Sequence, residues 1–215
     1  QALEKGAAAV IVDEETGIES PKIIKVDDVL TALQQLSRHH RKQFNIPFLA
    51  ITGSNGKTTT KELIHAVLSQ HFRTSTTKGN LNNHIGIPLT LLRIPKDAEI
   101  AVIEMGANHQ REIASYCEYV LPTFGLINNV GKAHLEGFGG IEGVKKGKGE
   151  LYDYIRSSGG SIFINDLALA VKNEQLQLAL GGPRGQQALD DFARPVPAAV
   201  DGEHAHGLAI AHDGR

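Results

Sequence analysis

One run constrains the fold of this chain more than any other: FLAITGSNGKTTTKE at residues 48–62. An apolar pentapeptide passes into a short loop with two glycines and then into a segment of helical spacing. FLAIT (48–52) reads as a strand. The stretch from Thr58 to Phe72 reads as a helix with Leu63, Ile64, Val67 and Leu68 turned inward. Gly53 and Gly56 allow a tight turn whose backbone N–H groups, with those of Ser54, Asn55 and Thr59, approach phosphate oxygens at a helix N-terminus. Lys57 can reach terminal phosphates, and the Thr58 hydroxyl can sit on Mg²⁺. The common phosphate loop has glycine where this chain has Ile51, so the loop is a variant form. The plain alternative is a glycine turn that only starts a helix.

Downstream, strands alternate with helices. IAVIEM (100–105), FGLINNV (124–130) and SIFIN (161–165) read as strands; 112–119 and 141–156 have helical spacing. The expectation is an α/β fold of the P-loop type: a mainly parallel sheet with helices on both faces and a ligand crevice at the carboxyl ends of the strands. Upstream, QALEKG looks helix-like and AAAVIV (7–12) like a buried strand. Asp27 is the expected cap of a helix that buries Val29, Leu30, Leu33 and Leu36 and ends near Phe44. Asn45-Ile46-Pro47 then marks the best domain boundary. Three regions follow: part of a small α/β domain at 1–46, a nucleotide-binding domain at 47–180, and an irregular tail at 181–215. The tail holds 6 Gly, 3 Pro and 7 Ala, a composition that favours loop. Position 1 reads as internal to a longer protein.

Composition removes several function classes. With 22 Lys+Arg against 24 Asp+Glu, a basic nucleic-acid-binding surface is not expected. A single cysteine, Cys117, excludes an internal disulfide framework and a Cys-rich zinc site. No apolar run approaches the roughly 20 residues of a membrane span, so no insertion is expected.

Several residues are candidates for chemistry. Glu104 ends an apolar strand and is either a Mg²⁺ or water-orienting carboxylate or an exposed strand end. His134 follows a strand and either enters the crevice or is solvated. Lys145, Lys146 and Lys148 read as a solvated helix face, and Arg38-His39-His40-Arg41-Lys42 as a basic helix end favoured by the helix dipole. Asn80, Asn82 and Asn83 precede Pro88, the expected first residue of a helix, and either bind a polar substrate or form turns. His204, His206 and His212 lack the carboxylate or cysteine partners of a metal site.

Six segments, ITGSNGKTTTKE, GNLNNHIGIPLTLL, VIEMGANHQREI, NNVGKAHLEGFG, KGKGELY and IFIN, together resemble the Mur ligases. These are ATP-dependent amide-forming enzymes of peptidoglycan synthesis, and the matching segments occur in the family's order across 48–165. GANH and AHLEGFG are most similar to the branch that adds D-alanyl-D-alanine to UDP-MurNAc-tripeptide. Residues 1–46 look like the end of the family's uridine-binding domain. The resemblance implies that Lys57 contacts the β- and γ-phosphates and that Thr58 and Glu104 hold one Mg²⁺. His134 and Lys148 would bind a second Mg²⁺, Lys148 after carbamylation. Asn129 would lie near the nucleotide, Asn165 would contact adenine, and Asn82 and Asn83 would face the sugar-peptide. It also implies ATP and Mg²⁺ as cofactors, a cytoplasmic monomer, no nucleic-acid partner, and roles in cell shape and division. The rival readings are a sister ligase, a folylpolyglutamate synthetase-like enzyme, or a nucleotide-binding module inactive by itself. Two departures stand out: Arg111 replaces the family's usual glycine, and after Asn165 the chain reads Asp166-Leu167-Ala168 where the family continues Ala-Asp-Asp.

Overall fold

The computed structural model of the chain describes residues 1–165 and 208–211. The first elements are short: strand β1 (Val10–Val12) pairs in parallel with β2 (Ile23–Lys25) in a two-stranded sheet of their own. The buried strand expected at 7–12 is therefore only three residues long and at most half-buried. A two-stranded ribbon buries little by itself. The helix-like start is a series of turns.

Helix α1 (Val29–Arg41) begins one residue later than expected, because Asp28 and not Asp27 is its cap: its Oδ1 accepts from the Thr31 N–H at 2.6 Å. Its buried stripe runs to Ser37 and Arg41, while Leu36 is exposed. Arg41 also departs from the solvated helix end. It is 6% exposed, donates to the carbonyls of Val120, Leu121 and Phe44 at 2.8–3.0 Å, and lies 3.5 Å from the Phe48 ring centre. Burial pushes its pKa down to about 10.

The main sheet has the order β4-β5-β3-β6-β7-β8. Strand β3 (Phe48–Thr52) lies between β5 (Ile100–Glu104) and β6 (Phe124–Ile127), parallel to both. Strand β4 (Thr74–Thr76) lies beyond β5, and β7 (Ser161–Asn165) beyond β6, again parallel. Strand β8 (Leu208–Ala211) pairs antiparallel with β7, so the stretch expected to be irregular contributes one strand; the rest of the 181–215 prediction lies outside the described residues.

Every residue of β3 is buried because both faces of the sheet are covered. Phe48 and Ala50 point into the larger core, built with Ile87, Ile103, Ile113, Leu151 and Ile155. That core includes residues from α3 (Gly86–Leu92), α4 (Glu112–Val120) and α6 (Ile141–Ser158). Leu49 and Ile51 point to the opposite face, where Val102 and Leu126 meet Ile64 and Leu68 of α2 (Lys57–Leu68). The expected inward set of α2 is thus half right. Leu63 and Val67 are 64% and 69% exposed, and the fully buried residue of the helix is Lys61. A stripe through 61, 64 and 68 faces the sheet, which leaves 63 and 67 on the outside.

Helix α3 starts at Gly86, ahead of Pro88, because the Asn83 Oδ1 accepts from the Ile85 and Gly86 N–H groups at 3.1 and 2.8 Å. Arg111, the departure from the family pattern, has φ 70°, the left-handed region that glycine adopts without cost. The Glu150 carboxylate accepts from the N–H groups of Arg111 and Ala114 at 2.6 and 2.9 Å and holds that turn at the start of α4.

Candidate active site

The register Ile51↔Glu104 and Thr52↔Ile127 brings the carboxyl ends of β3, β5 and β6 to one level. The loop between β3 and α2 rises from that level. Gly53 (φ 149°) and Gly56 (φ 73°) hold backbone angles that L-residues rarely adopt. A Cβ on Gly53 would lie 3.1 Å from the Asn128 Cβ and the Asn129 N. The first helical hydrogen bond runs from the Thr60 N–H to the Gly56 carbonyl, so the N–H groups of Gly56, Lys57, Thr58 and Thr59 form the open end of α2. Such an end attracts anions.

Two further loop amides, those of Ser54 and Asn55, are used internally. The Ser54 N–H donates to the Asn129 carbonyl at 3.1 Å, and the Asn55 N–H to the Asn129 Oδ1 at 3.0 Å. Asn128 and Asn129 both donate to the Asn55 carbonyl, and the Ser54 hydroxyl is bonded to Gly131. Asn129 therefore braces the loop from the end of β6. Asn128, which the sequence reading passed over, braces it equally and accepts from the Thr60 hydroxyl. The signal available was the Asn-Asn pair at a strand end. Lys57 folds back, with its Nζ 2.7 Å from the Gly53 carbonyl, and burial lowers its pKa while Glu104 pulls the other way.

Glu104 is not the exposed strand end of the plain alternative: it is 1% exposed. Its Oε1 accepts from the Thr58 hydroxyl at 3.2 Å and from the Asn82 Nδ2 at 2.7 Å. Its Oε2 has no hydrogen-bond partner and lies 3.8 Å from the Lys61 Nζ. Lys61, fully buried, donates to the Thr77 carbonyl at 2.7 Å and pairs with Glu62 at 2.9 Å. Sequence reading missed it because lysine on a helix is ordinarily solvated.

Lys148 is likewise not on a solvated face. It is 2% exposed, donates to the Ala107 carbonyl at 3.2 Å, and lies 5.1 Å from the Phe138 ring centre. Burial first, and the Lys57 charge second, push its pKa down to about 8. The Lys57 charge on the loop is thus felt at Lys148 on α6. Lys146 is exposed, as expected of an outer helix face, whereas Lys145 is half-buried and pairs with Glu142 at 2.7 Å.

His134, exposed, stands just ahead of the short helix α5 (Leu135–Phe138) with φ 53° and no capping hydrogen bond from its side chain. Asn80 is exposed in the turn before α3, and its carbonyl accepts from the Asn82 N–H at 2.7 Å. Asn165 ends β7 at the carboxyl edge of the sheet. The three tail histidines lie outside the described residues.

The structure thus brings Lys57, Thr58, Asn82, Glu104 and Asn129 together, with Lys148 close enough to feel Lys57. Among the described residues no group of three or more His, Cys, Asp and Glu could hold a metal. A hydroxyl and one carboxylate are nevertheless a hard-oxygen pair of the kind that suits Mg²⁺. That ion fills its octahedron with water and phosphate oxygens rather than with a full protein cage.

Comparison with known proteins points the same way. The family model "Mur ligase middle domain" matches residues 51–180. The UDP-N-acetylmuramoyl-tripeptide–D-alanyl-D-alanine ligase of Bacillus subtilis is 43% identical over 168 residues, covering 77% of this chain and 37% of that protein. The Escherichia coli protein of the same name is 45% identical, covering 77% and 36%. Among solved structures, MurF from Acinetobacter baumannii superposes with a TM-score of 0.66 at 41% identity, over 71% of this chain and 34% of that one. MurF ligase from Thermotoga maritima, solved in complex with ADP, gives 0.65 at 37% identity, over 71% and 36%.

Proposed function

The chain belongs to the Mur ligase family, and from that premise we propose that it is the ATP-binding core of an enzyme joining D-alanyl-D-alanine to UDP-MurNAc-tripeptide. It spans about a third of the length of the relatives it matches. One observation carries the reading: the Thr58 hydroxyl sits 3.2 Å from a buried Glu104 beside the open amide end of α2.

The proposed reaction has two steps. The peptide carboxylate attacks the γ-phosphorus of ATP to give an acyl phosphate and ADP. The dipeptide amine then displaces phosphate through a tetrahedral intermediate. The first step brings two anions together, so the site must supply positive charge. The N–H groups of residues 56–59 hold the phosphates, and Lys57 exchanges its loop carbonyls for the β- and γ-phosphate oxygens. Thr58 and Glu104 are the residues that would hold Mg²⁺, which screens phosphate charge and polarises the transferred group when bound. Asn82 holds Glu104 from the substrate side, and Asn80 and Asn83 lie in the same turn, where the sugar-peptide is proposed to pass.

Lys148 and His134 are proposed for the second metal. As a cation Lys148 repels a metal. Its buried amine, pushed down to about 8, is neutral often enough near neutral pH to attack CO₂ and, on releasing a proton to solvent, become an anionic carbamate. Asn165 is proposed at the adenine. The setting is the cytoplasm, with the protein a monomer serving cell-wall synthesis and, through it, cell shape and division. No helix among the described residues is long and apolar enough to cross a membrane.

In the full-length protein, Lys57→Ala is expected to weaken MgADP binding about 10- to 100-fold, the worth of a charge-assisted contact. Calorimetry and phosphate release with both substrates measure it; unchanged binding would refute the loop assignment. The chain's span of about a third of its relatives favours a second reading for the piece alone, as a nucleotide-binding module. The 215-residue chain should then bind MgADP without turnover.

A further inference from the structure

Lys61 is a fully buried charge beside the site that the proposed reaction leaves unused. It is fully buried on the sheet-facing side of α2, one turn beyond Lys57, and its Nζ stands 2.7 Å from the Thr77 carbonyl and 3.8 Å from the Glu104 Oε2. Thr77 holds the same carboxylate's own backbone, since its hydroxyl accepts from the Glu104 N–H at 2.9 Å. The two Glu104 oxygens therefore have different fates. Oε2 is turned toward the ammonium group inside the protein. Oε1 takes the Asn82 Nδ2 on one side and faces Thr58 on the other.

We propose that Lys61 is a positioning residue that holds back Oε2 and so makes Glu104 a one-oxygen ligand, selecting Mg²⁺ over Ca²⁺. Mg²⁺ demands a tight octahedron and accepts single carboxylate oxygens. Ca²⁺ takes six to eight oxygens and readily accepts both oxygens of one carboxylate. A carboxylate with one oxygen withheld favours the smaller ion. With an uncharged side chain at 61, Oε2 is free to turn outward and chelate. The inference rests on the reading of Thr58 and Glu104 as the metal pair.

The test is nucleotide affinity by calorimetry in the full-length protein, with ADP in Mg²⁺, in Ca²⁺ and in EDTA. Wild type should bind ADP more tightly with Mg²⁺ than with Ca²⁺. Lys61→Met should lower that Mg²⁺/Ca²⁺ ratio at least fivefold by raising the Ca²⁺ affinity, and Lys61→Arg, which keeps the cation, should hold the ratio within twofold. A Lys61→Met ratio unchanged within twofold, or equal losses with both ions, overturns the proposal and leaves Lys61 a structural residue. Wild-type affinity identical in EDTA and Mg²⁺ overturns the metal reading beneath it. A Mg²⁺–nucleotide complex of the unmodified protein decides independently of any variant's folding. The metal on Oε1 alone supports the proposal, and chelation by both oxygens ends it.

Discussion

The two helices that wall the candidate site, α2 and α6, hold a buried lysine each, and they hold it differently. On α2, Lys61 has a carbonyl at 2.7 Å and carboxylates at 2.9 and 3.8 Å. On α6, Lys148 has one carbonyl at 3.2 Å and an aromatic ring, and no carboxylate within ion-pair distance among the described residues. The helix surfaces around them differ too. α2 sets Ile64 and Leu68 against its face of the sheet and leaves Leu63 and Val67 in solvent, whereas α6 fully buries Val144, Leu151 and Ile155 in the larger core. A compensated charge can be held in a thin polar layer. An uncompensated one needs rigid packing to keep it in place, since a looser wall would let it escape to water.

This contrast can be broken most severely at Gly143. A Cβ there would lie 1.8 Å from the Phe138 carbonyl oxygen, a backbone atom with no room to give. Gly143→Ala should cost about 3 kcal/mol or more, despite alanine's better helix propensity. Urea denaturation measures it, and a neutral or stabilising result would mean that α5 does not pack on α6 as described.

Matched truncations then sharpen the difference. Leu151→Ala on α6 should cost about 2–5 kcal/mol, as a fully buried leucine does. Lys148 gives an intermediate effect with a pH signature. Its folded pKa, down to about 8 from 10.5, means that the unfolded chain binds more protons between those values, so stability rises with pH across that window. Lys148→Met should remove a rise on the order of 2 kcal/mol between pH 8 and 10.5, seen as the difference between wild-type and variant denaturation curves. Parallel curves would show that the amine is not desolvated. The smallest effect belongs to Leu63→Ala on the outer side of α2, about 0.5 kcal/mol or less. A larger loss would show that this face is covered.

Much of the scaffold was legible. FLAIT and SIFIN end where the strands end, because a fully buried parallel strand is a short apolar run bounded by turn residues. The glycine loop and its Lys-Thr opening were legible for a similar reason, since backbone freedom and helix-end chemistry are local. Errors fell where burial depended on a distant partner. Leu36, Leu63 and Val67 are apolar at helical spacing, and nothing in the sequence tells which of two neighbouring stripes meets the sheet. Lys148 and Arg41 were read as solvated and Lys61 was passed over, because each donates to a backbone carbonyl at least 16 residues away, of Ala107, Val120 and Thr77 respectively, that no local pattern reveals.

By itself the sequence determined the α/β alternation, the loop that opens α2 and the family whose motifs it carries. Those are properties of short segments, fixed by periodicity, glycine placement and side-chain type. Only the tertiary structure decided that Glu104 meets Thr58 with one oxygen and Lys61 with the other, and that Asn128 and Asn129 tie the loop from the next strand. Such contacts arise from parallel registers between strands dozens of residues apart. A hydrogen bond across them depends on where the sheet aligns its ends, which no local pattern encodes.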